Sequence, residues 1–292
     1  MKVCPPESLR FCGRTFSAQE LEWMRSLLSL KSLNRHQLAR RVCQQLNWVN
    51  GAGNLKEMSC RLAMLRMDRA GLLRLPAPLQ RNRNGLTIGG QLRIQRPEGL
   101  LTKPVDQLDW LRMELVQTKQ AAGWYRSLMA QYHYLGCKPM CGAQLRYLIW
   151  SGSWLLGGLG FGAAAWSVAA RDRWIGWSPS QREQRLEWIV NNSRFLLLPW
   201  VQNRNLASWI FAQVTRQLPQ DWQARYGYRP VLLESFVELD RFSGACYQAA
   251  NWLCLGQTKG RGKLEKNHAP VVPIKRIFVY PLQRSFRDIL LQ

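Results

Sequence analysis

The chain has 292 residues, room for two domains of ordinary size, and its 47% hydrophobic content with 14 tryptophans excludes a disordered polypeptide. Against 18 acidic residues stand 41 lysines and arginines, a net charge of +23 at pH 7. That surplus runs the whole length instead of sitting in a tail, which excludes a surface built for cations and points to phosphate polyanions bound with salt-sensitive affinity.

The first block, roughly 15–97, reads as three short helices and a hairpin. In "FSAQELEWMRSLLSL", Ser17 is placed as an N-cap with Glu20 at capping-box spacing. "SLNRHQLARRVCQQLNW" repeats Leu38, Val42 and Leu46 at helical steps. "LKEMSCRLAMLRMDRAGLL" sets Leu55, Met58, Leu62 and Leu65 on one face, with Lys56, Cys60 and Met67 pointing away and Arg61 on the flank. "LLRLP" and "LTIGGQLRIQRP" then alternate about a Gly-Gly turn. Three helices plus a hairpin predict a winged-helix-like module over 1–97, with its third helix in a groove. Lys56 and Arg61 on that helix, and Arg81, Arg83, Arg93 and Arg96 in or beside the wing, are the expected nucleic-acid contacts. The plainer alternative is a helical docking domain with a solvated basic face.

The proline- and glycine-bearing "PEGLLTKPVDQ" marks the boundary, and 98–292 forms the second domain. A long helical stretch (107–131) leads into "YHYLG", and apolar runs follow at 143–150 and 154–163. "SGSWLLGGLGFGAAAWSVAA" carries no charge but is too rich in glycine and alanine for a membrane span, and reads as buried strands ending in a short helix. "SQREQRLEWIVNN" reads as helix, "RFLLLP" as strand, "NLASWIFAQVTRQL" as helix, "PVLLESF" as strand, "RFSGACYQAAN" as helix and "KRIFVYPL" as a last strand. That order is α/β. Eight cysteines without regular spacing, and no signal-peptide pattern, predict reduced thiols and a cytoplasmic location away from membranes.

Few residues offer chemistry. His133, one of three histidines, is a candidate general acid/base, against a semi-buried hydrogen-bonded histidine beside two tyrosines. His133, Cys137 and Cys141 lack zinc-knuckle spacing, so no resident metal is expected. Glu234, inside the apolar "VLLESFV", must meet a cation or polar partner; a structural ion pair and a catalytic acid/base remain open. Asp172, between two arginines in "ARDRW", reads as an ion-pair residue. Asp106, Asp109, Asp172 and Glu234 leave open a divalent ion such as Mg for phosphodiester cleavage, with Cys246 or Tyr247 as alternative nucleophiles. "GQTKGRGK" lacks the P-loop pattern and reads as a basic loop in which Lys259, Arg261 and Lys263 clamp phosphates; Arg194 and Arg204 join them. Phe242, Ala245, Ala249 and Trp252 are assigned to the core, with Gly244 permitting close approach.

"YHYLG", "LRYLIWSG", "AARDRWIGW", "NNSRFLLLPWVQNRNLAS" and "YGYRPVLLESFVELDRFSGACYQAANWLCLGQTKGRGK" resemble the DruA family of the Druantia anti-phage system, whose relatives are scattered among mobile elements. The resemblance implies a defence or mobile-DNA context. The expected partner is DNA before RNA, with a larger defence or transposition complex as a further candidate. The second block also resembles the GNAT-type acyltransferase fold, with "RFLLLP" as central strand and "NLASWIFAQV" as the helix after it. By position that resemblance makes Tyr247 a general acid toward a leaving thiolate. The loop that would cradle the acyl-CoA pyrophosphate reads "QNRNLAS" without its glycines, which speaks against acyl-CoA. The expected protein is therefore α/β, a winged-helix-like three-helix module followed by a GNAT-like domain, binding nucleic acid and possessing or lacking strand cleavage or transfer activity. The alternatives are a GNAT-like group transferase acting on nucleic acid or protein, and a non-catalytic subunit of a larger effector.

Overall fold

The computed structural model describes residues 8–29, 33–51, 53–79, 92–140, 142–260 and 272–292. The chain divides into two compact units, 1–83 and 84–292.

The first unit begins with an antiparallel hairpin, β1 (Ser8–Phe11) and β2 (Arg14–Ser17), followed by helices α1 (Ala18–Ser29), α2 (Arg35–Gln45) and α3 (Glu57–Arg69). Ser17 and Glu20 form the expected reciprocal cap of α1, Glu20 N–H donating to Ser17 Oγ (3.1 Å) and Ser17 N–H to Glu20 Oε2 (2.9 Å). Asn34 and Gln37 repeat the device at α2. Phe16, Met24, Leu38, Val42 and Trp48 fill the core from the hairpin, α1 and α2.

Two expectations for this unit are corrected. The buried stripe of α3 is Cys60, Ala63, Met64 and Met67, whereas Met58 is 69% and Leu62 45% exposed. Both stripes recur at helical spacing; small and flexible side chains on the inward one allow α2 and α3 to approach closely. The second correction is the wing. Leu72–Pro76 and Leu92–Arg96 form no strands, and 86–91 lie outside the described residues. Leu72, Leu73 and Leu75 instead pack onto the helices, and Asp68 Oδ1 accepts the Leu75 N–H (3.0 Å). Among the described residues the hairpin of this unit precedes the helices.

The second unit is a seven-stranded mixed sheet: β3 (Arg112–Leu115), β4 (Leu145–Ser151), β5 (Trp154–Ala163), β6 (Ile189–Leu197), β7 (Leu232–Glu238), β8 (Leu253–Gln257) and β9 (Lys275–Pro281). Their order across the sheet is β3-β4-β5-β6-β7-β9-β8, with β6 and β7 parallel and the other neighbours antiparallel. Helices α4 (Lys119–Tyr132), α5 (Ala169–Ile175), α6 (Pro179–Arg185), α7 (Leu206–Tyr226), α8 (Ala245–Ala249) and α9 (Phe286–Leu291) complete it. This mixed α/β architecture, with "RFLLLP" in the middle strand and α7 directly after it, is the one the GNAT resemblance implies.

The uncharged 151–163 stretch is largely β5, and its glycines explain how α4 lies on the sheet. A Cβ at Gly158 would meet Leu128 at 2.9 Å, and one at Gly160 would meet the Tyr125 hydroxyl at 2.5 Å. On the opposite face Tyr147 donates from its hydroxyl to Asp221 of α7 (2.9 Å). Residues 92–97 belong with this unit: Leu92 N–H donates to Ser127 Oγ (3.1 Å), Gln131 Nε2 to Leu92 O (2.9 Å), and the Arg96 guanidinium stacks 5.8 Å from the Trp200 ring. No helix among the described residues is long and apolar enough to cross a membrane.

Candidate functional site

The sheet forks in its middle. Parallel pairing of β6 with β7 runs only from Ile189↔Leu232 to Asn192↔Ser235, after which the strands part. At that point β6 bulges: Gly160 pairs Arg194 and Phe161 pairs Asn192, leaving Ser193 as the extra residue. Tyr247 of α8 fills the fork. Its hydroxyl donates to Asn192 Oδ1 (2.7 Å) and accepts from Ser235 Oγ (2.9 Å), one residue from each last pair. The ring stacks on Phe278 (5.2 Å, 17°) and meets Phe211 (4.8 Å) and Trp252 (5.1 Å). Tyr247 is 6% exposed, and burial pushes its hydroxyl pKa up. The hydroxyl that the resemblance assigns to proton donation thus sits in a closed hydrogen-bond chain within an aromatic core.

Gly244, the residue before α8, makes this possible. Its φ of +76° is left-handed, and a Cβ there would sit 2.7 Å from the Phe278 ring.

Glu234, one step before Ser235, has the cationic partner that its apolar strand requires: it forms an ion pair with Arg171. Arg171 Nη1 donates to Glu234 Oε2 (2.6 Å) and the Ala165 N–H to Oε1 (2.7 Å), with both side chains fully buried. Asp172 Oδ1 takes the remaining edge of Arg171 (2.8 Å to Nη2), and Arg182 closes the network on Asp172 Oδ2 (3.3 Å). Burial pushes the Glu234 pKa up while Arg171 and the Ala165 amide pull against it. Among the described residues no three of His, Cys, Asp or Glu are arranged to hold a metal ion.

A second cluster brings together residues from three separate segments. His133 caps α4 at its C-terminal end; its Nδ1 accepts the Leu135 N–H (3.1 Å) and its ring stacks on Tyr134 (4.9 Å, 25°). Tyr134 meets Phe242 (5.5 Å), and the Arg241 guanidinium lies 5.2 Å from the Tyr134 ring while Arg241 Nε pairs with Glu238 (2.9 Å). The charge of Arg194, just past the bulge, acts on both His133 and Tyr134. Burial and then Arg194 lower the His133 pKa from 6.5 to about 4. A histidine depressed in the fold adds stability above its unfolded value, and that stability is lost as pH falls from about 6.5 to about 4. His133→Gln is therefore expected to flatten the acid side of the stability profile over that interval, read as the difference between variant and parent melting temperatures at each pH. Parallel profiles would show that His133 does not carry this dependence.

The remaining predicted residues scatter. Cys246 is half-buried and burial pushes its thiol pKa up, away from a reactive thiolate. Arg194 is half-buried, its Nη1 donating to Ser193 O (2.7 Å). Lys56 is half-buried at the N-cap of α3; Arg61, Arg93 and Lys259 are exposed. Arg81, Arg83, Cys141, Arg261 and Lys263 lie outside the described residues. Phe242, Ala245 and Ala249, expected in the core, are exposed, since α8 turns only Tyr247 inward. Sequence reading missed Asn192 and Ser235, whose role depends on where parallel pairing stops, and Tyr134, Phe242 and Arg241 as a group.

Arg204 lines a hollow of 590 Å³ at the N-terminus of α7 with Pro104, Val105, Asp106, Asn205 and Trp209. This is the position of the loop that the GNAT resemblance assigns to acyl-CoA pyrophosphate, and its residues do not fit that group. Asn205 takes the left-handed backbone (φ 63°), the Asn203 amide donates to Lys103 O (2.6 Å), and the acidic Asp106 is part of the lining.

The sequence model of "Druantia protein DruA" matches residues 72–271. No curated protein matches the chain. Among solved structures, a Bacillus subtilis acetyltransferase in complex with CoA is similar at 9% identity, covering 59% of this chain and 99% of its own, with a TM-score of 0.37. A GNAT-family acetyltransferase from Streptococcus pneumoniae is similar at 12% identity over the same shares, with a TM-score of 0.37. A putative acetyltransferase from Salmonella typhimurium with acetyl-CoA is 10% identical, covering 59% of this chain and 95% of its own at a TM-score of 0.36. At that level of likeness nothing about substrate or cofactor passes to this chain.

Proposed function

Because the chain belongs to the DruA family, a family of anti-phage defence, we propose that it serves that defence as a nucleic-acid-binding protein, with DNA as its first partner. The observation that carries this reading is the outward stripe of α3. Met58, Leu62, Arg66 and Arg69 are exposed along it at steps of four, four and three residues, with exposed Arg61 on the flank, on a chain of net charge +23. Exposed cations beside apolar side chains on one helix suit phosphates and base edges together. The acidic Glu57 of α3 is already engaged by His36 (3.4 Å) and Arg40 (4.0 Å). Exposed Lys259, with Arg261 and Lys263 beyond it in sequence, is the second basic set assigned to phosphates.

A binding role is favoured over strand cleavage or group transfer because Tyr247 and Glu234 spend their polar atoms inside the fold. Fluorescence anisotropy with a labelled duplex over a salt series tests the reading. Replacing Arg61, Arg66 and Arg69 together by glutamine is expected to weaken binding and lower the slope of log K against log salt by about 2–3. Unchanged affinity and slope would remove α3 from the interface. Incubation of labelled strands with Mg²⁺ tests the enzymatic alternative; new ends that vanish in Tyr247→Phe or Glu234→Gln would favour it.

A further inference from the structure

The cluster around Tyr134 has no part in the core and none in the reading of α3. Tyr134 is 40% and Phe242 49% exposed, on two loops far apart in sequence. Neither loop is left loose. The Phe242 N–H donates to Glu238 O (3.0 Å), Arg276 Nη1 donates to Ser243 O (2.6 Å), and buried His133 backs the Tyr134 ring. Glu238 holds Arg241 by Nε, which keeps the guanidinium within 5.2 Å of the Tyr134 ring. The charge of Arg194 also reaches the Tyr134 ring, so two guanidinium groups stand beside the Glu238 carboxylate, which Arg241 already engages, and the exposed Asp240 of the same loop. The two rings are inclined 57° to each other, so a flat ligand that stacks on one meets the other edge-on; with guanidinium groups beside them they suit a polarisable ring carrying negative charge close by. An unpaired nucleobase with its phosphates has that chemistry, whereas a duplex offers base edges and hides base faces.

We infer that Tyr134 and Phe242 form a stacking platform for an unpaired nucleobase, with Arg194 and Arg241 supplying positive charge to the flanking phosphates. The inference rests on the nucleic-acid reading above and extends it: the second unit takes single strands, in a place distinct from α3.

Anisotropy with three labelled probes tests it: an oligothymidine single strand, the same length of abasic strand, and a duplex. Tyr134→Ala and Phe242→Ala are each expected to weaken oligothymidine binding roughly 10-fold, the loss of aromatic contact to one base. Phe242→Trp is expected to restore it, and the duplex and abasic affinities should stay at the parent's values. Oligothymidine binding that neither alanine substitution alters would overturn the platform alone, as would equal losses on all three probes. A parent protein that binds none of the probes across the salt series would remove both the platform and the reading beneath it.

Discussion

Arg171→Met is expected to destabilise the second unit by about 3–5 kcal/mol, because it strands the buried Glu234 carboxylate with a single amide donor. The deficit should narrow as pH is lowered. Once Glu234 is protonated it no longer presents an uncompensated charge, and a carboxyl whose folded pKa is raised contributes stability below its unfolded pKa and loses it as pH rises. Asp172 keeps Arg182 in the variant, so its own loss is smaller. Replacing both partners, Arg171→Met with Glu234→Leu, should recover most of the loss, since an apolar pair of similar volume avoids the desolvation of two ions. Chemical denaturation of the parent and the two variants at several pH values reads the effect. A single variant as stable as the parent would show that the pair is not the closed network described.

Gly244→Ala is the second large expectation, at about 2–4 kcal/mol. Two costs add there: a left-handed backbone for an L-residue, and a methyl group driven into the Phe278 ring on which Tyr247 stacks. Gly176 separates them. Its φ of +89° is also left-handed, but nothing lies within 4 Å of an added Cβ, so Gly176→Ala should pay the backbone cost of about 1–2 kcal/mol alone. Near-ultraviolet circular dichroism should change for Gly244→Ala and not for Gly176→Ala, since only the former displaces Tyr247, Trp252 and Phe278. Equal losses at the two glycines would mean that the ring contact costs nothing.

The elements legible in the sequence are those whose apolar period is clean. β5, β7, α7 and β9 follow runs that alternate or repeat over their full length, and the Ser17–Glu20 cap of α1 was readable as a spacing. β3 was hidden inside a helical reading of 107–131, because Leu108, Leu111 and Leu115 recur at helical steps. β8, "LCLGQ", lies at the sheet edge with exposed side chains and a glycine, so it carries no amphipathic signal. The α3 face was misread because leucine was weighted over cysteine, alanine and methionine; close packing with α2 reversed that preference. Of the candidate residues, Tyr247 lies in the fork and His133 in the separate cluster around Tyr134. Phe242 was assigned to the core on hydrophobicity alone, and its partnership with Tyr134 depends on two loops meeting in space, which no spacing records.

The strand order carries a consequence for how the second unit is made. β9 lies between β7 and β8, so the last strand of the sheet to leave the ribosome completes its interior. Until Phe278 arrives, Tyr247 has no ring beneath it, and β7 stands as a bare hydrophobic edge beside the fork. The half of the sheet that ends in β6 can pair during synthesis through successive hairpins, whereas the β7–β9 half must wait for the chain to return. Nascent chains halted before residue 275 should therefore present an unpaired edge to chaperones, and the emergence of β9 is the event that closes it.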